Sequence, residues 1–333
     1  NETAEVAFEN IEKTGEIKVT KTTVGNINVS GITFNLRGTS DSGRDIDIPA
    51  VTDENGVAIF SEIPIGTYTI YEDEKTVPTA YLVADPQNVT VTYAETKEVP
   101  IENKEKTGSI TVHKTTEGQK NIEGIKFYLR GTSDSGRAID IPATTDKDGI
   151  AKFDGVPIGT YMVIEDEETV PYGYLVADEK EVKVEYAQTI DETILNNEQT
   201  GTVKVHKKTA DMTNVEGIRF ILSGISDTGR EIRIEATTDK DGLAKFEGVP
   251  VGTYTITEDG STVPYGYLVA DSKQVTVAYA QTVDTDMVNE KAPDTPNTGV
   301  TDNDSDGSKA LCSVAIILAG AAIVMFSRKR KER

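Results

Sequence analysis

Apolar and polar residues alternate over short runs along most of this chain, and turn residues separate the runs. In Ile17–Lys21, IKVTK, the residues Ile17, Val19 and Lys21 fall on one face of a strand, and Lys18 and Thr20 fall on the other. Runs such as GIKFYL and TYMVIE alternate in the same way, without helical periodicity. The pattern predicts an all-β protein. It also poses a problem, because Lys21 stands on the face that its neighbours make apolar, and an unpaired ammonium there costs several kcal/mol.

The pattern recurs. TGEIKVTK, TGSITVHK and TGTVKVHK begin at Thr14, Thr107 and Thr200, a constant spacing of 93 residues, and LRGTSDSGR is identical at Leu36–Arg44 and Leu129–Arg137. A period of that length is a whole domain rather than a solenoid repeat. Three units follow, at 14–106, 107–199 and 200–292, each predicted to be a small β-sandwich with one core. Asn55-Gly56, Asp148-Gly149 and Asp241-Gly242 lie between strand-like runs and read as hairpin turns with positive φ. At the start of the chain, ETAEVAFENIEKTG aligns with ETKEVPIENKEKTG at the end of the first unit. Residues 1–13 are therefore expected to be the last strand of a truncated upstream repeat, and the chain a C-terminal piece of a longer repeat protein.

With three copies the parity argument can be repeated. Lys114 follows Ile110 and Val112, and Lys207 follows Val203 and Val205; parity excludes the adjacent Lys208. Carboxylates join apolar faces in the same way, at Glu72, Glu165 and Glu258. So do carboxamides in the last strand of each unit, at Asn103, Asn196 and Asn289, with Asn197 excluded by parity. In the orphan strand, Val6, Phe8 and Asn10 repeat the pattern, and the partner of Asn10 would lie upstream. Each unit is thus expected to bury one Lys, one Glu and one Asn.

Two chemistries fit this trio. One is a salt bridge with an added hydrogen bond, or a strand-end lysine copied by duplication. The other is covalent. Burial favours neutral forms, an amine and a carboxylic acid. A neutral amine is a nucleophile, and an adjacent acid can polarise the carboxamide and shuttle protons. Attack on Asn Cγ would release ammonia and leave a neutral Lys–Asn isopeptide bond.

GIKFYLRG, TTDKDGIAKFDGVPIGTY and YMVIEDEETVPYGY have counterparts in every unit. Over 14–292 these stretches resemble the B-type repeats of collagen adhesins and the SpaA-like, pilin-related domains of Gram-positive surface proteins. The resemblance implies an inverse immunoglobulin or prealbumin-like sandwich with adjacent first and last strands. It also implies three cross-links: Lys21–Asn103 with Glu72, Lys114–Asn196 with Glu165, and Lys207–Asn289 with Glu258. The first unit has VPTAY where the others have VPYGY, so Ala80 puts the geometry of that turn in question.

Composition narrows the class. Aromatics are 6% of the 333 residues and Trp is absent, so the cores should be small and aliphatic. A formal charge of −22 disfavours nucleic acids and anionic lipid surfaces as partners. Cys312 is the single cysteine, which excludes an intramolecular disulfide. After a linker at 293–309, Ala310–Phe326 is 17 residues of nearly pure apolar sequence, the lower limit for a membrane span, and a basic tail at 327–333 places that end in the cytoplasm. An ordinary single-pass anchor is one reading and a GPI signal another, although the latter usually lacks a basic end. TPNTG at Thr295–Gly299 resembles the sortase signal LPxTG, with Thr295 in place of Leu. That resemblance implies cleavage between Thr298 and Gly299, and joining of Thr298 to a peptidoglycan cross-bridge or a pilin subunit. Loss of Gly299–Arg333 would take six basic and four acidic residues with it and move the formal charge from −22 to −24.

Other signals point nowhere. DNDSDG at Asp302–Gly307 opens like an EF-hand loop, but Ser313 stands where the bidentate Glu belongs, so it reads as a spacer. His113 and His206 lie on the strand face opposite the lysines, and the first unit has Thr20 there, so neither metal nor shared His catalysis is expected. No cofactor is expected. The sequence reads as the stalk of a non-enzymatic, wall-anchored bacterial surface protein, held briefly by a membrane anchor before sortase acts. Its host or surface ligand is expected to bind an upstream region. A minor or basal pilin, and the accessory repeats of a wall-anchored enzyme, are the alternatives.

Overall fold

The alternation in sequence is realised as burial. The computed structural model describes residues 10–25, 29–120, 122–213 and 215–293. In the first strand, β1 (Thr14–Thr23), Ile17, Val19, Lys21 and Thr23 are buried, while Lys18, Thr20 and Thr22 are not. The first repeat continues with β2 (Thr33–Thr39), β3 (Asp45–Val51), β4 (Val57–Pro64), β5 (Gly66–Glu72), β6 (Gln87–Val91) and β7 (Thr96–Asn103). These form two sheets, β4-β1-β7 and β3-β2-β5-β6. Residues of both sheets, among them Ile17, Val19, Phe34, Leu36, Phe60, Tyr68 and Val99, make one aliphatic-rich core.

The second repeat has the same plan: β8 (Thr107–Thr116), β9 (Lys126–Ser133), β10 (Ala138–Thr144), β11 (Ile150–Pro157), β12 (Gly159–Glu165), β13 (Lys180–Val184) and β14 (Thr189–Asn196). So does the third: β15 (Thr200–Thr209), β16 (Arg219–Ser226), β17 (Glu231–Thr237), β18 (Leu243–Pro250), β19 (Gly252–Glu258), β20 (Lys273–Val277) and β21 (Thr282–Asn289). Each has its own core. The fold is therefore three tandem β-sandwiches.

The first and last strands of each repeat run side by side and parallel. Lys21 stands opposite Ile101, Lys114 opposite Ile194, and Lys207 opposite Met287. A parallel pair needs a long crossover rather than a tight turn, and here the rest of the domain supplies it. Close approach fixes where β1 begins. A Cβ on Gly15 would sit 2.4 Å from the Thr92 carbonyl oxygen, and one on Gly108 would sit 2.5 Å from that of Glu185. Glycine is the residue these strand starts admit.

The turns at Asn55-Gly56 and its two counterparts correct the sequence expectation. The strands on either side, β3 and β4, belong to different sheets, so the segment is a corner between sheets and not a hairpin. Local turn chemistry holds: Gly56 has φ of 75°, and Asp53 accepts from the backbone N–H of Asn55 and Val57 at 2.9 Å each. What the turn pairs with is set by tertiary structure. Gly56 accepts the backbone N–H of Lys21 at 2.8 Å, and Gly149 and Gly242 do the same for Lys114 and Lys207 at 2.7 Å. The corner thus seats on the strand residue that carries the lysine. At VPTAY, Gly173 and Gly266 take φ of 90° and 91°, whereas Ala80 stays out of the left-handed region. The turn still closes, with Tyr81 N–H donating to the Pro78 carbonyl at 3.0 Å.

Candidate functional site

In each repeat the parity trio converges between the two sheets. The lysine comes from the first strand, the glutamate from the end of the fifth, and the asparagine from the end of the last. The lysine side chains are fully shielded, the glutamate side chains are at most 1% exposed, and Asn103, Asn196 and Asn289 are 0% exposed. The amine lies 3.6 Å from the carboxylate in Lys21–Glu72, 3.1 Å in Lys114–Glu165 and 2.9 Å in Lys207–Glu258.

Asparagine completes the cluster in two ways. Asn103 Nδ2 donates to Glu72 Oε1 at 3.0 Å, and Asn289 Nδ2 donates to Glu258 Oε2 at 2.6 Å. In the second repeat Lys114 Nζ donates directly to Asn196 Oδ1. The amine also reaches strand carbonyls, from Lys21 to Thr22 at 2.8 Å and from Lys114 to Ile194 at 3.2 Å. Among the described residues, Asn103 Oδ1, Asn196 Nδ2 and Asn289 Oδ1 are buried without a hydrogen-bond partner. Unmet buried polar atoms cost about 1–3 kcal/mol each. As a purely ionic cluster, this arrangement is only partly satisfied.

Burial pushes the amines of Lys21, Lys114 and Lys207 below the ordinary lysine value, and the neighbouring glutamates only partly oppose it. Desolvation penalises the ammonium more than one carboxylate repays. The neutral, nucleophilic form is correspondingly easier to reach.

Parity placed the neighbours correctly as well. Lys208 faces solvent and pairs with Asp286 at 3.0 Å. His113 and His206 are on the outer face, beside Asp191 at 3.1 Å and Asp284 at 2.7 Å, away from the lysines. Asn10 is exposed. The sequence reading missed the group that aims the carboxylate. Backbone N–H donors of Ala84, Ala177 and Ala270 hold Glu72, Glu165 and Glu258 at 2.8, 2.8 and 2.7 Å. The signal was available: YLVAD is unchanged at Tyr81–Asp85, Tyr174–Asp178 and Tyr267–Asp271. Thr298, Gly299, the apolar segment 310–326 and the acidic run 302–307 lie outside the described residues. Among the described residues no helix is long and apolar enough to cross a membrane.

A family model described as SpaA, prealbumin-like fold domain, matches residues 15–105, 108–199 and 201–291. No curated protein matches the chain. Among solved structures, the Bacillus anthracis TIE protein is 20% identical with a TM-score of 0.60, over 83% of this chain and 51% of that one. This chain therefore spans about half of that protein's length, and the likeness bears on the fold. A streptococcal ancillary pilin is 18% identical with a TM-score of 0.34, over 84% of this chain and 99% of its own. BcpA, the major pilin subunit of Bacillus cereus, is 16% identical with a TM-score of 0.40, over 84% of this chain and 100% of its own.

Proposed function

Because this chain belongs, through all three of its repeats, to the SpaA prealbumin-like fold domain family, we propose that it is the stalk of a pilin-related bacterial surface protein whose repeats are braced by Lys–Asn isopeptide bonds. The observation that carries this reading is the threefold recurrence of a buried amine, carboxyl and carboxamide joining the first strand to the last. A proton passes from Lys114 to Glu165, which leaves a neutral amine beside a carboxylic acid. The amine attacks Asn196 Cγ, the Nζ–Cγ bond forms, and the Cγ–Nδ2 bond breaks. Glu165 relays the surplus amine proton to Nδ2, which departs as ammonia, and the carboxyl group ends protonated, holding the proton it first took from Lys114. The product amide carries no charge, so the burial cost of the ammonium disappears.

The role is structural rather than enzymatic, since each cluster acts once on its own domain. TPNTG fits a sorting signal, with Thr298 joined by sortase to a wall amine or another subunit after Gly299 is released; this part rests on sequence. The test is intact mass. With all bonds formed, the protein should weigh about 51 Da less than its sequence, about 17 Da for each ammonia lost. A mass equal to the sequence mass would leave only the ionic cluster.

A further inference from the structure

A second glutamate recurs at the 93-residue spacing, buried at two of its three positions, and the isopeptide chemistry does not use it. It is at Glu12, Glu105 and Glu198, two residues beyond the last-strand asparagine, where the chain leaves one repeat for the next. Its partners belong to the following repeat. Glu105 accepts from the Ser135 hydroxyl and from Arg137 Nη2 at 2.8 Å, and its side chain is 5% exposed. Glu198 accepts from the Thr228 hydroxyl and from Arg230, with its side chain fully shielded. Glu12 accepts from Ser42 and, at 3.3 Å, from Arg44, and is the more open of the three.

The backbone repeats the theme. Lys106 donates its N–H to Ala80 of the first repeat at 2.8 Å and accepts from Ile158 of the second at 3.0 Å. Gln199 bridges Gly173 and Val251 in the same way, at 2.7 and 2.9 Å. Each connecting residue is therefore bonded on one side to the repeat behind it and on the other to the repeat ahead.

We propose that the Ser/Thr-x-Arg turn between the second and third strands of each repeat is a socket that fits the exit-strand glutamate of the preceding repeat, locking consecutive repeats at a fixed angle. A freely flexing junction would leave this carboxylate in water. Burial is tolerated only where donors meet it, and here both donors come from the next domain. The fourth position of the series supports the reading. Lys291 stands where the glutamates stand, an ammonium that an arginine socket repels, and it turns back to Asp211 of its own repeat at 3.3 Å. The order of repeats is thus written in one position: Glu to continue, Lys to close.

The test is trypsin digestion of the full chain, read by mass spectrometry as the rate of cutting after Lys106. Opening of the latch exposes that bond, so Glu105→Ala should speed this cut by about tenfold or more, with strands β1 to β14 still resistant. Arg137→Ala, which leaves the sequence around Lys106 untouched, should speed the same cut by a comparable factor. The proposal is overturned by a Glu105→Ala rate within about twofold of the unmodified chain, by an Arg137→Ala rate as slow as that of the unmodified chain, or by cutting spread throughout the two adjoining repeats. These readouts do not depend on whether ammonia is lost, so the latch and the cross-link stand or fall separately.

Discussion

Lys114 and Asn196 are 82 residues apart in sequence, and their side chains are hydrogen-bonded to each other. The parallel register explains how. Lys114 stands opposite Ile194, so Asn196, two residues further along β14, lies on the same face and one step on the diagonal. The two strands come from opposite ends of the domain, so this contact joins its entrance to its exit. A polar pair is an expensive choice for such a place. It makes physical sense if the pair becomes a neutral amide.

The glutamate should be required for that conversion. Glu165→Ala removes the group that takes the proton from Lys114, while β8 and β14 keep their backbone pairing. The expected mass deficit falls by about 17 Da, from three ammonia losses to two. A cross-linked peptide joining Lys114 to Asn196 in the Glu165→Ala protein would show that some other group moves the proton.

Parity was enough to find the trio because a strand has a strict period of two, and the apolar residues Ile17 and Val19 ahead of Lys21 fix which way it points. It also separated Lys207 from Lys208, one buried and the other exposed. Three copies made the pattern legible where one would have passed as a strand end. Parity says nothing about pairing between strands. That is why the turn at Gly56 was read as a hairpin: its residues specify a local bend, whereas its placement against Lys21 depends on β1 lying nearby. The unchanged YLVAD stretch marks the segment that carries donors such as Ala84 N–H, but parity alone does not say that this backbone meets Glu72. The junction glutamates were legible in principle, since they recur at the same spacing, but they lie in the connecting segments, where an acidic residue attracts no notice in a chain of charge −22.

An uncross-linked repeat should betray its buried amine through pH. Asn196→Ala leaves Lys114 as a titrating group whose folded value burial holds below 10.5, with Glu165 opposing. Between that depressed value and 10.5 the unfolded chain binds more protons, so stability rises with pH in that window, by up to about 1.4 kcal/mol per unit. Above pH 10 the buried Tyr161 works the other way. Burial pushes its phenol up to about 12 from 10.0, so the folded state keeps a proton that the unfolded state loses. Thermal melting of the Asn196→Ala protein should therefore show the middle repeat gaining stability towards pH 10 and losing it beyond. With the amide formed, the rise should be missing. A flat profile in the variant would mean that Lys114 does not titrate as a buried amine.

Anchoring should depend on one threonine. Thr298→Ala blocks the transfer step proposed for TPNTG, so the protein should move from the wall fraction to the membrane fraction, retained there by the apolar segment that cleavage would have removed. Wall attachment undiminished by Thr298→Ala would place the sorting site elsewhere.

The proposed bond would act mechanically, and its geometry sets the expected result. Tension along a stalk enters the second repeat at Thr107, the start of β8, and leaves beyond Asn196, the end of β14. With a bond from Lys114 to Asn196, force runs along part of β8, crosses the amide and exits. The 81 residues between them, 115–195, are bypassed. Forced unfolding is governed by the unfolding rate, and a covalent path removes that step instead of slowing it. The same closure restricts the unfolded chain; by analogy with a disulfide of similar loop length it contributes roughly 4–5 kcal/mol, subject to strain. A salt bridge at this place would add only to a barrier that tension can cross. Pulled by its ends, the unmodified protein should extend almost nothing from within the repeats. Lys114→Ala should add one new step from the middle repeat, releasing chain of about 270–295 Å when extended at 3.3–3.6 Å per residue. Three such steps in the unmodified protein would rule out the shunt, whatever the distances between the side chains.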